Sequence, residues 1–429
     1  MKARHLLAAT ALFLLTCGAA QAAPGDPNAP LPYAAKPEDV GFSSQRLVRI
    51  GEVLKADIDA GRIPGAVIAI ARHGKLVAFD AYGWRDKAAN TPMTTDTIFN
   101  IASMTKPMTT VAVLTLYEKG QILMDDPLAK YFPKFAGQRV AARGADGQPT
   151  LDTVPANRAI TIQDLLRHTS GLVYGNRGNT VVHKLYPQSA SDNLYTGPGL
   201  VDKLASVPLM WQPGSTWDYG FGLDVAGQVV EKITGTSLGR YIRANISTPL
   251  GMKDTGFYVQ GPAVARYAQP LPKDPDTGAP QIRSPELTKP PSFDCGGGCA
   301  SSTARDYMLF ATMLLNKGHY AGGQIISQRT AEYMLSNQLG PNVRNLIAVT
   351  DPTKNGYAFG LGVAIKPTVG VTPTMGSPGS FSWPGAAGTD FWVDPKEDLV
   401  VVYLSAAPGP IRWHYRQKIN ALVYQALVD

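Results

Sequence analysis

Strand-forming sequence stands at both ends of this 429-residue chain while the long middle reads as helical, so the two ends have to meet. Near the start, Gly65 to Ala71 and Lys75 to Tyr82 are β-rich runs about His73-Gly74, the pattern of a hairpin. Ahead of them, residues 43 to 59 carry Leu47, Ile50, Val53, Leu54 and Ile58 on one stripe, which predicts an amphipathic helix. Strand signal returns in Tyr357 to Ala364, Ser377 to Ala387, Gly388 to Val393 and Leu399 to Ser405, followed by a last helix from about residue 411. From about 100 to 320 the periodicity is helical, broken by irregular stretches at 136 to 158, 173 to 199 and the proline-rich 259 to 293. Long loops of this kind in a compact domain belong to binding sites. The expectation is one sheet closed by the two termini, with a helical region inserted.

Residues 1 to 22 read as an export signal: Lys2, Arg4 and His5 form a basic start, Leu6 to Leu15 an apolar run, and Ala20-Gln21-Ala22 a small-residue cleavage site. Cys17, after Leu14-Leu15-Thr16, is a poorer fit to a lipid-attachment site. No later apolar run reaches the ~18 residues needed to span a membrane, so no stable membrane insertion is expected. Losing Lys2 and Arg4 takes the formal charge from +7 to +5, and no basic cluster interleaves with aromatics, which argues against a nucleic-acid partner. Apolar residues make up 44% of the chain, enough for a sizeable core. The cysteines left after cleavage, Cys295 and Cys299, bracket Gly296-Gly297-Gly298 and read as a disulfide closing a ring worth about 2 kcal/mol. His73, His168, His183, His319 and His414 are scattered, so neither a metal nor another cofactor is expected.

The chemistry-bearing stretch is Phe99-Asn100-Ile101-Ala102-Ser103-Met104-Thr105-Lys106, leading into an apolar run to Leu116. At the start of a buried helix Ser103 and Lys106 would share one face, and a desolvated lysine amine can help take the proton of a serine nucleophile. The helix's positive end would favour a developing oxyanion. Pro107 fits if the helix begins close to Ser103, since a first turn needs no amide donor there. A second serine lies in Gly235-Thr236-Ser237-Leu238-Gly239, which matches GxSxG. A nucleophile elbow, however, needs a strand before its serine, and Leu223 to Ile233 has helical periodicity. Thr236 or Ser237 is better read as the N-cap of a helix from Leu238 to Ile246. Without a credible histidine base the proton acceptor falls to lysine or tyrosine, with Tyr219 in Pro213-Gly214-Ser215-Thr216-Trp217-Asp218-Tyr219 the candidate tyrosine.

Taken together, several motifs resemble the serine β-lactamase and penicillin-binding-protein superfamily, most closely its class C branch with the family VIII carboxylesterases. They are Pro64-Gly65, the Ser103/Lys106 pair, Leu165-Leu166-Arg167-His168-Thr169-Ser170-Gly171-Leu172, Pro213-Gly214 before Tyr219, Pro249-Leu250-Gly251-Met252, and the glycine-rich turn before Ser301-Ser302-Thr303-Ala304-Arg305-Asp306-Tyr307. The resemblance spans roughly residues 40 to 425. It implies an α/β (α+β) fold, an antiparallel sheet flanked by N- and C-terminal helices with an inserted all-helical domain. The boundaries expected are a lead-in at 23–39, the sheet domain at 40–99 and 335–429, and the mainly helical domain at 100–334. It also implies acyl transfer through Ser103 with Lys106 and Tyr219 as base partners, and a structural role for His168.

Two departures bear on substrate choice. Phe221 stands where lactamases of this type carry asparagine, and Trp383-Pro384-Gly385-Ala386 stands where they carry Lys-Thr-Gly, resembling the WxG form of the esterases. Amides alternate along a strand, so those of 384 and 386 share an edge, and proline is tolerated where that edge is unpaired. Ala386 alone keeps a donor there, which makes its N–H, with that of Ser103, the expected oxyanion hole, while Gly385 allows close backbone approach. Trp383, Phe221, Trp217 and Tyr174 are expected to wall the substrate site. With no cation from Trp383 or Phe221, uncharged esters of about two to six acyl carbons should be hydrolysed far better than β-lactams. The chain thus reads as a periplasmic or secreted serine carboxylesterase acting on a small-molecule ester, as a monomer or small homo-oligomer. A class C-type β-lactamase, a D-amino-acid amidase or peptidase, and an acyltransferase are the alternatives on the same fold.

Overall fold

Alternation along the strands sorts their side chains into two separate cores. In the computed structural model, which describes residues 20–21, 28–190, 194–281 and 290–428, the N-terminal hairpin is β1 (Gly65–Arg72) and β2 (Lys75–Asp86). The C-terminal strands are β3 (Ala358–Phe359), β4 (Ala364–Ile365), β5 (Phe381–Ser382), β6 (Asp390–Asp394) and β7 (Leu399–Ser405). Val67 and Ala69 of β1, with Val400, Val402 and Leu404 of β7, point into one core; Ala66, Ile68 and Ile70, with Leu399, Val401 and Tyr403, point into the other. The second core is covered by α1 (Ser44–Asp59) and the C-terminal helix α5 (Ile411–Tyr424), which contribute Ile50, Leu54, Ile58, Tyr415, Ile419 and Val423. The first is covered by α4 (Ala304–Leu315) through Tyr307, Phe310 and Leu314. Each such aliphatic or aromatic side chain, fully buried, contributes roughly 1.5–3 kcal/mol. Both faces of β1 and β7 are therefore apolar up to the terminal Arg72 and Ser405, and both strands are buried at every position.

Among the described residues the sheet has nine strands, in the order β2-β1-β7-β6-β5-β4-β3 with two short additions, Ala20–Gln21 and Thr91–Pro92, on β2. All its pairings are antiparallel, and the two termini close it: β1 pairs with β7 from Ala66 opposite Ser405 to Arg72 opposite Leu399. This is the antiparallel, helix-flanked sheet that the sequence predicts. Residues 1–19 and 22–27, on which most of the export signal and its cleavage point fall, lie outside the described residues.

Some strand expectations shorten. Ser377 to Ala387 yields only Phe381–Ser382, because the chain turns at Gly385. Tyr357 to Ala364 folds back on itself through Gly362, whose φ of 71° suits a turn and whose place beside the Thr110 side chain leaves no room for a Cβ. The stretch 136 to 158 is not irregular: Arg139–Arg143 and Pro149–Pro155 pair as a hairpin. In the middle of the chain, α2 (Thr105–Glu118) is buried from Thr105 to Leu116 and packs against α3 (Gly222–Thr234). Among the described residues no helix is long and apolar enough to cross a membrane.

Candidate active site

Ser103 stands in a short 3-10 turn, Ala102–Met104, that runs directly into α2. Ala102 adopts a φ of 43°, the left-handed region that costs a side-chain-bearing residue about 1–2 kcal/mol. Its amide donates to Asn100 Oδ1 at 2.8 Å and its carbonyl accepts from Thr105 Oγ1 at 2.6 Å, which hold it there. Pro107 falls in the first turn of α2, where a missing donor costs nothing. One turn on from the serine, the Lys106 side chain is fully buried.

Tyr219 reaches this turn from the loop before α3. Its hydroxyl donates to Ser103 Oγ at 2.7 Å, and Lys106 Nζ lies 4.4 Å from its ring centroid. The loop is pinned to the segment around His168: the Asp218 amide donates to the His168 carbonyl at 3.0 Å and the Gly214 amide to that of Thr169 at 2.8 Å. A Cβ on Gly220 would stand 1.9 Å from the Leu172 carbonyl oxygen, so only glycine lets the two loops touch. The His168 ring packs 4.8 Å from that of Tyr219, and neither ring nitrogen has a hydrogen-bond partner among the described residues. Burial, and then the Lys106 charge, push its pKa well below the ordinary histidine range, so it stays neutral.

The sequence did not single out Asp224. It lies in the first turn of α3, where an acid is ordinarily read as a helix-start charge. Here it is buried, accepting from the Tyr174 hydroxyl and from the Gly297 amide, each at 2.8 Å. Gly297 in turn offers its carbonyl to Lys106 Nζ at 2.5 Å, so the carboxylate and the ammonium grip opposite ends of one residue. Burial pushes the Asp224 carboxyl up, while Lys106, the Tyr174 hydroxyl and the Gly297 amide oppose that shift. Gly297 sits inside the Cys295–Cys299 disulfide, whose Cα atoms are 5.4 Å apart, and that ring fixes the carbonyl facing Lys106. Asp224→Asn leaves the buried ammonium without its counter-charge and should destabilise the fold by about 2–4 kcal/mol. Chemical denaturation would read this, and an unchanged midpoint would mean that the pair contributes nothing.

A cavity of about 190 Å³ opens onto Ser103, with Tyr174, Arg177, Tyr219, Gly297 and Ala386 on its walls. Ser103 and Ala386 thus face one space, as an oxyanion hole requires. Ala386 does so from the start of a turn rather than from within a strand. The Gly385 amide donates to the Thr389 carbonyl at 2.8 Å and its carbonyl accepts from Arg416 at 2.8 Å. A Cβ on Gly385 would lie 2.4 Å from the Ile101 carbonyl oxygen, which brings this segment against the turn that carries Ser103.

Three of the expected wall residues stand behind the wall instead. Trp383, Trp217 and Phe221 are at most 2% exposed and take no part in the cavity surface. Trp383 Nε1 donates to the Tyr219 hydroxyl at 3.4 Å, Trp217 stacks on Tyr219 at 6.2 Å, and Phe221 meets Tyr174 edge-on at 4.4 Å. Large aromatic rings are more cheaply buried than exposed, so here they pack behind Tyr174 and Tyr219. Arg177, unnoticed in the sequence, comes from the 173–199 stretch that its length had marked as a binding loop. Ser237 takes no part in the cavity: it caps the helix beginning at Leu238, accepting from the Arg240 amide, and a helix rather than a strand precedes it. Among the described residues no group of three or more His, Cys, Asp or Glu side chains converges as a metal site.

Comparison with known proteins agrees with this arrangement. Residues 50–425 match the family model described as Beta-lactamase. Protein Rv1367c of Mycobacterium tuberculosis is 36% identical, covering 81% of this chain and 86% of that protein. Esterase EstB of Burkholderia gladioli is 30% identical, covering 87% of this chain and 95% of its own. Among solved structures, EstCE1, described as a hydrolase with promiscuous acyltransferase activity, superposes with a TM-score of 0.71 at 26% identity, over 89% of this chain and 99% of that one. With the strand order, the serine–lysine–tyrosine cluster and a match over most of its length in agreement, the chain belongs to the beta-lactamase family.

Proposed function

We propose that the protein is an exported serine esterase that cleaves short-chain carboxylic esters through a covalent acyl-enzyme on Ser103. The observation that carries this reading is the 2.7 Å hydrogen bond between Tyr219 and Ser103, with the Lys106 ammonium against the same tyrosine ring. In the proposed cycle Tyr219, seen here donating to Ser103, first releases its proton to solvent and then takes that of Ser103 as Oγ attacks the ester carbonyl. The Lys106 side chain lies against the Tyr219 ring, and the amides of Ser103 and Ala386 receive the oxyanion. Collapse of the tetrahedral intermediate breaks the acyl–oxygen bond, and Tyr219 returns the proton to the departing alcohol. Water then repeats the sequence on the acyl-enzyme, restoring Ser103 and releasing the acid. The esterase relative and the hydrolase structural neighbour support ester cleavage. The signal-like residues 1–22 and the Cys295–Cys299 bridge support a periplasmic or secreted protein.

Size argues for small substrates, since about 190 Å³ lies below the ~300–1,000 Å³ of pockets for drug-sized ligands. The sequence placed no cation in the cleft, and Arg177 corrects that, so the case against β-lactams rests on volume rather than charge. A panel of 4-nitrophenyl acetate, butyrate, octanoate and a cephalosporin should show kcat/KM highest for the two short esters, by at least about tenfold over the others. A cephalosporin value equal to that of the butyrate ester would overturn the substrate assignment while leaving Ser103 as nucleophile.

A further inference from the structure

Arg177 closes the short turn Gly175–Arg177 that follows Tyr174. Its guanidinium carbon lies 5.4 Å from the centroid of the Tyr219 ring, on the wall that also carries Ser103 and Ala386. The side chain is exposed, and no ion pair among the described residues engages it. The other charges nearby do not neutralise it. Asp224, also on the cavity, is already engaged by Tyr174 and Gly297 beside Lys106. Arg416 is paired with Asp351 at 2.6 Å and donates to the Gly385 carbonyl. Arg412, four residues earlier on α5, adds positive charge: burial, then Arg416 and Arg177, hold its pKa down at about 10. A planar guanidinium with free donors, one aromatic ring from a nucleophilic serine, matches the two oxygens of a carboxylate.

We propose that Arg177 determines specificity by binding a carboxylate on the substrate, so that the preferred esters are short and carry a negative charge a few bonds from the scissile carbonyl. This deepens the esterase reading and rests on it. The chemical class is the monoester of a short dicarboxylic acid or the ester of a small hydroxy-acid leaving group. Uncharged esters of equal length fit the same cavity but leave the guanidinium to water.

Two isosteric pairs test the proposal: the 4-nitrophenyl hemiester of glutaric acid against the 4-nitrophenyl ester of glutaric monoamide, and 4-carboxyphenyl acetate against 4-carbamoylphenyl acetate. At low ionic strength the wild-type enzyme should favour the acidic member of at least one pair by about tenfold in kcat/KM, mainly through KM, because a charged bidentate hydrogen bond is gained. Arg177→Gln should cut that acidic-to-neutral ratio about tenfold, Arg177→Lys should restore part of it, and added salt should erode it. A wild-type ratio near one for both pairs, or a ratio that Arg177→Gln leaves unchanged, would overturn it. Calorimetric titration of the Ser103→Ala protein with monomethyl glutarate separates the two readings. Binding that depends on Arg177 without turnover in the wild type removes the esterase and keeps the anion site; the absence of such binding removes the site.

Discussion

Ser103→Ala is expected to lower ester hydrolysis by about 10⁴-fold or more and to abolish labelling by a fluorophosphonate probe. The Ser103 hydroxyl is placed by a strained backbone, accepts a hydrogen bond from Tyr219, and shares its cavity with Ala386. Alanine keeps that backbone and its amide, so the protein should fold normally while lacking the oxygen that forms the acyl bond. The control is Ser237→Ala, which removes a helix cap worth about 1 kcal/mol but touches nothing in the cavity, and should leave turnover within about twofold. Peptide mass spectrometry after a brief incubation with substrate would locate the acyl group. An adduct on Ser237 would refute the assignment.

Tyr219→Phe should lower kcat by the ~10²- to 10⁴-fold typical of losing a general base, with little change in melting temperature. Only one oxygen is removed, the ring keeps its packing against His168 and Trp383, and Trp383 Nε1 loses an acceptor at 3.4 Å. Lys106→Ala should lose at least as much activity, but it is the less clean test. It also removes the donor to the Gly297 carbonyl and leaves Asp224 as a buried carboxylate without a cation, so stability should fall with it. If the Tyr219→Phe enzyme turned over at a near-normal kcat, the tyrosine would have no part in proton transfer.

The sheet was legible because its strands alternate between two apolar faces and because its helices carry a clear stripe; residues 65–86, 390–405 and 411–424 fold where their patterns place them. The two-residue strands β3, β4 and β5 were not, since a turn glycine and a chain reversal set their ends and neither leaves a periodic signal. Ser103, Lys106 and Tyr219 were found through motif and resemblance, and the structure brings the three together. Asp224 and Arg177 escaped notice for opposite reasons: one looks like any helix-start acid, the other like any surface arginine in a loop. Burial gives the first its meaning and proximity to the Tyr219 ring the second, and both are tertiary facts. Trp217, Phe221 and Trp383 show the reverse: the resemblance set Phe221 and Trp383 at motif positions on the cleft, and the structure buries all three rings behind the cavity wall.

The pairing of β1 with β7 also bears on when activity can first arise. A ribosome adding about 5–20 residues per second takes on the order of tens of seconds to travel from the first of these strands to the second. Throughout that interval the N-terminal hairpin lacks the neighbour that covers Ala66 to Arg72, and α1 lacks α5. Arg416, which holds the Gly385 carbonyl and so the segment bearing Ala386, is made later still. Such distant contacts favour slow folding that waits for the far end of the chain. The nascent protein therefore carries Ser103, Lys106 and Tyr219 long before the segment bearing Ala386 is held against them, and the candidate site is complete only after translation has passed residue 416.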